Sequence, residues 1–132
     1  MAYLLDSDTI IENLRNSQKV KARLIERAAI PKAISVITYG ELLYGAKVSR
    51  QAEKNLAIIR GLPDVFPIVG IGRSIIETFI DIKGGLEAEG QPLDDMDLMI
   101  AATALTLNYC LVTNNTRHFG RIAGLELENW TQ

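Results

Sequence analysis

The stretch Pro92–Phe119, PLDDMDLMIAATALTLNYCLVTNNTRHF, decides how the rest of the chain is read. From Asp95 onward, Met96, Met99, Ile100, Thr103, Ala104 and Leu107 recur at the i, i+3, i+4 spacing of a helix. Cys110 to Thr113 is then a short apolar run suited to a buried strand, followed by polar Asn114 and Asn115. Acids crowd the helix start, where Asp94-Asp95-Met96-Asp97 reads as a capping box whose last acid reaches back to the cap.

The same vocabulary recurs upstream. Ala2 to Leu5 is a short buried-strand run ended by Asp6, Ser7 and Asp8, any of which can cap the helix that follows. Residues 17 to 28 place Val20, Leu24, Ile25 and Ala28 on one face of an amphipathic helix, with Lys19, Lys21, Arg23 and Arg27 on the other. Pro31 closes a loop, Ala33 to Val36 or Ile37 is a second strand, and Thr38 begins a helix to about Val48, with Thr38-Tyr39-Gly40-Glu41 as its capping box. A helix from about Gln51 to Arg60 stops at Gly61 and Pro63. Val65 to Val69 is a third strand that Pro67 confines to an edge. Residues 71 to 89 carry Ile71, Ile75, Phe79, Ile82 and Leu86 at helical spacing, although the Gly84-Gly85 pair weakens the middle. Leu125 to Leu127 is a candidate fifth strand, and His118 falls in a loop beyond the fourth.

Strands alternating with helices predict an α/β layer fold with a mainly parallel sheet of four to five strands, in one domain over residues 1–132. With 48% apolar and 23% charged residues the composition is that of a folded globular protein. The lone Cys110 excludes a disulfide framework within the chain and reads as a small buried hydrophobe. No apolar run reaches membrane-spanning length, and MAYLLDSD lacks the pattern of a signal peptide, so the expected compartment is the cytoplasm. Residues 1–60 carry 10 Lys and Arg against 6 Asp and Glu, and residues 61–132 carry 4 against 10. The first part can face a polyanion while the second supplies acids, or the basic residues are simply the wet face of one helix.

Asp6, Glu41 and Asp97 each stand where an apolar strand gives way to a helix. In a parallel sheet the carboxyl ends of the strands share one edge, where α/β folds place their ligands. Each acid alone is explained by capping. Together they would repel one another, a conflict that a divalent cation such as Mg²⁺ resolves through one or two carboxylates plus water and phosphate oxygens. Such a site suits phosphodiester hydrolysis, and no His or Cys cluster points to zinc.

LLDSDTII, ISVITYGELLYGA and the long run from Pro92 to Trp130, ending L-E-N-W, closely resemble the PIN-domain ribonucleases, specifically the VapC-type toxins of bacterial toxin–antitoxin pairs. The resemblance spans nearly the whole chain in the right order. It implies a PIN-like three-layer fold and an Mg²⁺- or Mn²⁺-dependent endoribonuclease with Asp6, Glu41 and Asp97 as metal-site acids and Thr113 and Asn114 lining the pocket. It also implies an RNA substrate, a homodimer, and a VapB-type antitoxin whose tail lies over the helices bearing Glu41. Two positions depart from the pattern: Asn115 is neutral where many members carry an acid, and Asp8 replaces the usual Asn, where it reads as a helix cap. Tyr39 and Tyr44 flank Glu41; either ring could stack on a base, and Tyr44 reads better as helix packing.

Two alternatives stand beside this one. Leu5-Asp6-Ser7-Asp8-Thr9 also fits the D-x-D-x-[TV] motif of haloacid-dehalogenase-type phosphatases, with Asp6 as nucleophile. Leu111-Val112-Thr113-Asn114 resembles that family's second motif, but the acidic cluster at Asp94 to Asp97 precedes it and no lysine follows Thr113. The other is a catalytically silent PIN fold that only binds RNA or a protein, which the neutral Asn115 would favour.

Overall fold

The computed structural model describes residues 1–132. Its elements, in chain order, are β1 (Tyr3–Leu5), α1 (Ser7–Leu14), α2 (Gln18–Glu26), β2 (Lys32–Ser35), α3 (Val36–Lys47), α4 (Ala52–Arg60), a 3₁₀ turn (Leu62–Asp64), β3 (Ile68–Val69), α5 (Arg73–Ala88), α6 (Asp95–Leu107), β4 (Cys110–Val112), α7 (Thr116–Phe119) and β5 (Leu127–Glu128). The five strands form one sheet in the order β3-β2-β1-β4-β5, and every pair is parallel.

That order positions the site. From β1 the chain winds outward through β2 to β3, then returns to lay β4 against the other side of β1. The carboxyl ends of β1 and β4 therefore flank the point where winding reverses, the crevice in which open α/β sheets bind ligands. Leu5 pairs with Val112, so the next residues on each strand, Asp6 and Thr113, come out side by side.

Strand residues alternate between two cores because successive side chains point to opposite faces. Tyr3, Leu5, Ile34, Cys110 and Val112 join Ile10 of α1, Val20 of α2, Leu42 and Ala46 of α3 and Ile59 of α4. Leu4, Ala33 and Leu111 join Ile75, Phe79 and Leu86 of α5, residues of α6 and Phe119 of α7. Three layers result, with α1–α4 on one face and α5–α7 on the other. Leu98, Ile100, Ala101, Ala102, Thr103 and Ala104 are all buried, so α6 is enclosed nearly all round. Asn108, left-handed at φ 58°, ends that helix and turns the chain into β4.

The structure corrects several local expectations. The second strand ends at Ser35, because its Oγ accepts the Ile37 N–H at 3.1 Å and caps a helix that starts at Val36 rather than Thr38. The β-branched Val36 and Ile37 look like strand, but the cap decides. Thr38 therefore heads no capping box. Ile25, expected on the apolar face of α2, is 76% exposed. The third strand shrinks to Ile68–Val69 at the sheet edge, its predicted first half replaced by the turn after Pro63 and by buried Phe66. The fifth begins at Leu127, since Gly124 at φ +80° and the Leu125 N–H to Ile122 carbonyl bond keep Leu125 in a turn. His118 lies in the one-turn helix α7 rather than a loop, and α5 runs unbroken through Gly84 and Gly85. No helix is long and apolar enough to cross a membrane.

Candidate active site

Asp6 caps α1 from the end of β1. Its Oδ1 accepts the Ser7 N–H at 2.8 Å, and its Oδ2 accepts the Thr113 hydroxyl at 2.9 Å. The residue is 6% exposed. Burial first, then the charge of Asp8 and more weakly that of Glu41, push its carboxyl up to about 7 from an ordinary 3.8, while the bonds from Thr113 and Ser7 pull the other way.

Asp8 is not the cap that its sequence position suggested, because Asp6 already fills that place. Its Oδ2 accepts the Asn114 N–H at 2.9 Å and faces the Thr113 hydroxyl at 3.2 Å, while its Oδ1 faces the Thr9 hydroxyl at 3.2 Å. Thr113 is fully buried, and its Oγ also accepts the Asn115 N–H at 3.1 Å. One hydroxyl proton thus lies between two carboxylates.

The other acids arrive from the flanking helices. Glu41, in the second turn of α3, is exposed at the surface, and loss of hydration followed by the charges of Asp97, Asp94 and Asp8 raises its carboxyl. Asp97 is half-buried in the first turn of α6; burial and then Asp94 raise its carboxyl, and the nearby His118 ring pulls it down. The predicted capping box forms only in part. Asp94 Oδ2 accepts the Met96 N–H at 3.1 Å, but no reciprocal bond from Asp97 to the cap is present. Asp97 and Glu41 therefore carry carboxylates free for another partner.

No three of these side chains stand close enough to hold an ion as they are. The donor set nevertheless fits a hard divalent cation: oxygen ligands only, at a switch point, with proton affinities raised by burial and mutual repulsion that such a charge would relieve. Asn115 turns its amide to His118 Nδ1 at 3.0 Å. That ring is exposed and stands near Asp97, and the i, i+3 spacing from Asn115 across a short helix was the signal for its place.

The basic residues of α2 divide. Lys19 is exposed, Arg23 half-buried, and Lys21 bonds Asn13 Oδ1 at 3.1 Å. Arg27 is engaged in the fold, with its Nε donating to the Tyr3 hydroxyl at 3.0 Å, ion pairs to Glu26 and Glu128, and its guanidinium 5.7 Å from the centre of the Trp130 ring. Tyr44 is 68% exposed, contrary to the packing role expected of it, whereas Tyr39 packs against the core. Between α1, α3 and α4 a groove of about 500 Å³ is lined by Ile11, Leu14, Leu42 and Ile58 together with Arg15 and Glu41, so an apolar trough opens beside the acids.

The PIN domain family profile matches residues 3–125. The tRNA(fMet)-specific endonuclease VapC of Shigella flexneri is 30% identical over 131 residues, covering 99% of each chain. Ribonuclease VapC1 of Haemophilus influenzae is 32% identical over 135 residues and covers each chain completely, at 100%. Among solved structures, VapBC2 from Rickettsia felis bound to a DNA fragment from its promoter superposes with a TM-score of 0.92 at 30% identity, covering 98% of this chain and 99% of that one. The chain therefore belongs to the PIN-domain family, and within it to the VapC ribonucleases. The D-x-D-x-T motif at Asp6 thus lies in a PIN domain and not in a haloacid-dehalogenase-type phosphatase, and the chain is an endoribonuclease rather than a silent binding module.

Proposed function

We propose that this endoribonuclease cuts RNA phosphodiester bonds with a divalent cation, Mg²⁺ or Mn²⁺, held by Asp6, Glu41 and Asp97. The observation that supports it is the gathering of mutually repelling carboxylates, buried Asp6, half-buried Asp97 and surface Glu41, at the switch point between β1 and β4. When bound, the cation would supply activation of water and neutralise charge growing on the phosphate. Asp6 is held by Ser7 and Thr113 and fixes one side of the site. Glu41 and Asp97, free of hydrogen bonds, close the other side. Thr113 and Asn114 shape the floor, Asn115 and His118 offer polar contacts at its border, and Tyr44 is exposed for stacking on an unpaired base. Lys19, Lys21 and Arg23 draw in the phosphate backbone; the expected fourth member, Arg27, is withdrawn into its contacts with Tyr3 and Trp130. The products are a 5′-phosphate and a 3′-hydroxyl.

The protein acts in the cytoplasm as a homodimeric toxin restrained by a VapB-type antitoxin. The VapBC complex from Rickettsia felis supports that pairing, and the apolar trough that reaches Glu41 offers an amphipathic antitoxin segment a seat from which to obstruct the acids. RNA ends sequenced after brief expression test the reading, with initiator tRNA, the substrate in the name of the Shigella flexneri relative, examined first. Discrete new 5′-phosphate ends that vanish with Asp97→Asn are expected; an unchanged set of ends with that variant would overturn it.

A further inference from the structure

The end of β4 is sewn to the start of α1 by more than the sheet. The Asp6 N–H donates to the Val112 carbonyl at 2.9 Å, and the Thr9 hydroxyl reaches the same carbonyl at 3.2 Å. Beyond Val112 the sheet supplies only one further bond, from the Thr113 N–H to the Glu128 carbonyl at 3.0 Å. From there the path of the chain depends on side chains, and Asp8 provides the acceptor: it takes the Asn114 N–H at 2.9 Å and faces the Thr113 hydroxyl at 3.2 Å with the same oxygen. Asn114 is held from its other side, where its Oδ1 accepts the Thr131 hydroxyl at 3.2 Å.

We propose that Asp8 is a positioning residue of the reaction and not a ligand: its carboxylate clamps the Thr113–Asn115 loop so that the Thr113 hydroxyl is presented to Asp6 and the loop backbone lies flat along the catalytic edge. The inference rests on the carboxylate-site reading above. Geometry separates the two roles. Asp6 takes its backbone bond from its own helix start, whereas Oδ2 of Asp8 turns to the loop after β4, where it accepts the Asn114 N–H and meets the Thr113 hydroxyl, and Oδ1 faces Thr9. What Asp8 supplies is acceptor capacity, which an amide oxygen shares, and not charge, which it lacks.

Asp8→Asn and Asp8→Ala separate these cases when each is followed by three readouts: amide hydrogen exchange at Asn114 in metal-free protein, the Mn²⁺-induced rise in Tm, and kcat and KM on a short RNA. In Asp8→Ala the Asn114 amide should exchange at least about fivefold faster, reflecting one lost hydrogen bond. The kcat of that variant should fall by about 10- to 100-fold, as for removal of a group that orients a ligand. Its KM should stay within about twofold and its Mn²⁺ response should persist, because only transition-state geometry is lost. Asp8→Asn should restore Asn114 protection and most of the kcat. If Asp8→Asn is as inactive as Asp8→Ala and both lose the Mn²⁺ response, Asp8 is a ligand and the proposal is wrong; full kcat in Asp8→Ala overturns it equally. Failure of the underlying reading looks different, since Asp97→Asn would then remain active whatever Asp8 does.

Discussion

The acidic site has two unlike halves. Asp6 and Asp8 are fixed by Ser7, Thr113 and Asn114, all within 3.2 Å, at the junction of β1 and β4. Glu41 and Asp97 come from helices on opposite faces of the sheet and make no hydrogen bonds with their carboxylates. One half is tied down by hydrogen bonds, and the other is left free of them. This division explains how the carboxylates can raise one another's proton affinity while no three of them yet stand in ligating geometry. On the proposed reading Asp6 would set the position of an ion and the free half would adjust to it.

Removing the Asp97 carboxylate from the free half should have the largest effect. Asp97→Asn is expected to abolish RNA cleavage and growth arrest while Tm moves little, because Asp94, not Asp97, caps α6. A comparable loss of Tm and activity would mean that Asp97 serves the helix. In the fixed half, Thr113→Val removes the donor to Asp6 and the acceptor of the Asn115 N–H. Leaving such buried groups unpaired should cost about 1–3 kcal/mol in urea unfolding and weaken Mn²⁺ binding as well. Retention of wild-type stability would show that the hydroxyl is not the tie between the halves of the loop.

The pH response comes next. The Asp6 carboxyl rises from 3.8 to about 7 on folding, so between those values the folded protein binds more protons than the unfolded chain. Stability of the metal-free protein should then fall as pH rises through that window, by up to about 1.4 kcal/mol per unit. Below the lower value and above the upper one this contribution is flat. Asp6→Asn, which can still cap α1, should remove the slope and leave the metal-free protein more stable than wild type at pH 8. Urea midpoints at pH 5 and pH 8 decide it. Mn²⁺ affinity should weaken as pH drops below about 7, since the ion must displace that proton.

The smallest expected effect separates the cations of α2. Replacing Lys19 and Arg23 by Gln should flatten the salt dependence of RNA binding by about 0.7 log units per lost contact, with kcat unchanged. Arg27→Gln should instead lower Tm, because it takes the cation from Tyr3, Glu128 and Trp130. An unchanged salt slope in the first variant would mean that the face of α2 is merely solvated.

Much of this was legible in the sequence because buried parallel strands declare themselves as apolar runs, and the first residue beyond each run falls on the common edge. Asp6 was read that way; Asp97 was read by the same rule, but helix α5 and not a strand precedes it, and it reaches the edge from the first turn of α6. Glu41 was assigned for an incomplete reason: it stands a turn inside α3, since Ser35 caps three residues earlier than Thr38 would have. Asp8 was misread because a helix start offers several cap candidates, and only tertiary structure shows that its partner is the loop after β4, more than 100 residues away. The place of His118 depended on α7, a single turn too short for periodicity to reveal. The exposure of Ile25 and Tyr44 was hidden for the opposite reason, since helical spacing marks a face but not whether anything covers it.

The most direct test of the central claim is cleavage of a labelled RNA by protein stripped with EDTA, then supplied with Mn²⁺ or Mg²⁺. The stripped protein should be inert, regain cleavage with either ion, and leave 5′-phosphate ends, while Asp6→Asn, Glu41→Gln and Asp97→Asn stay inert throughout. Undiminished cleavage in excess EDTA would contradict the assignment of these carboxylates to a divalent cation.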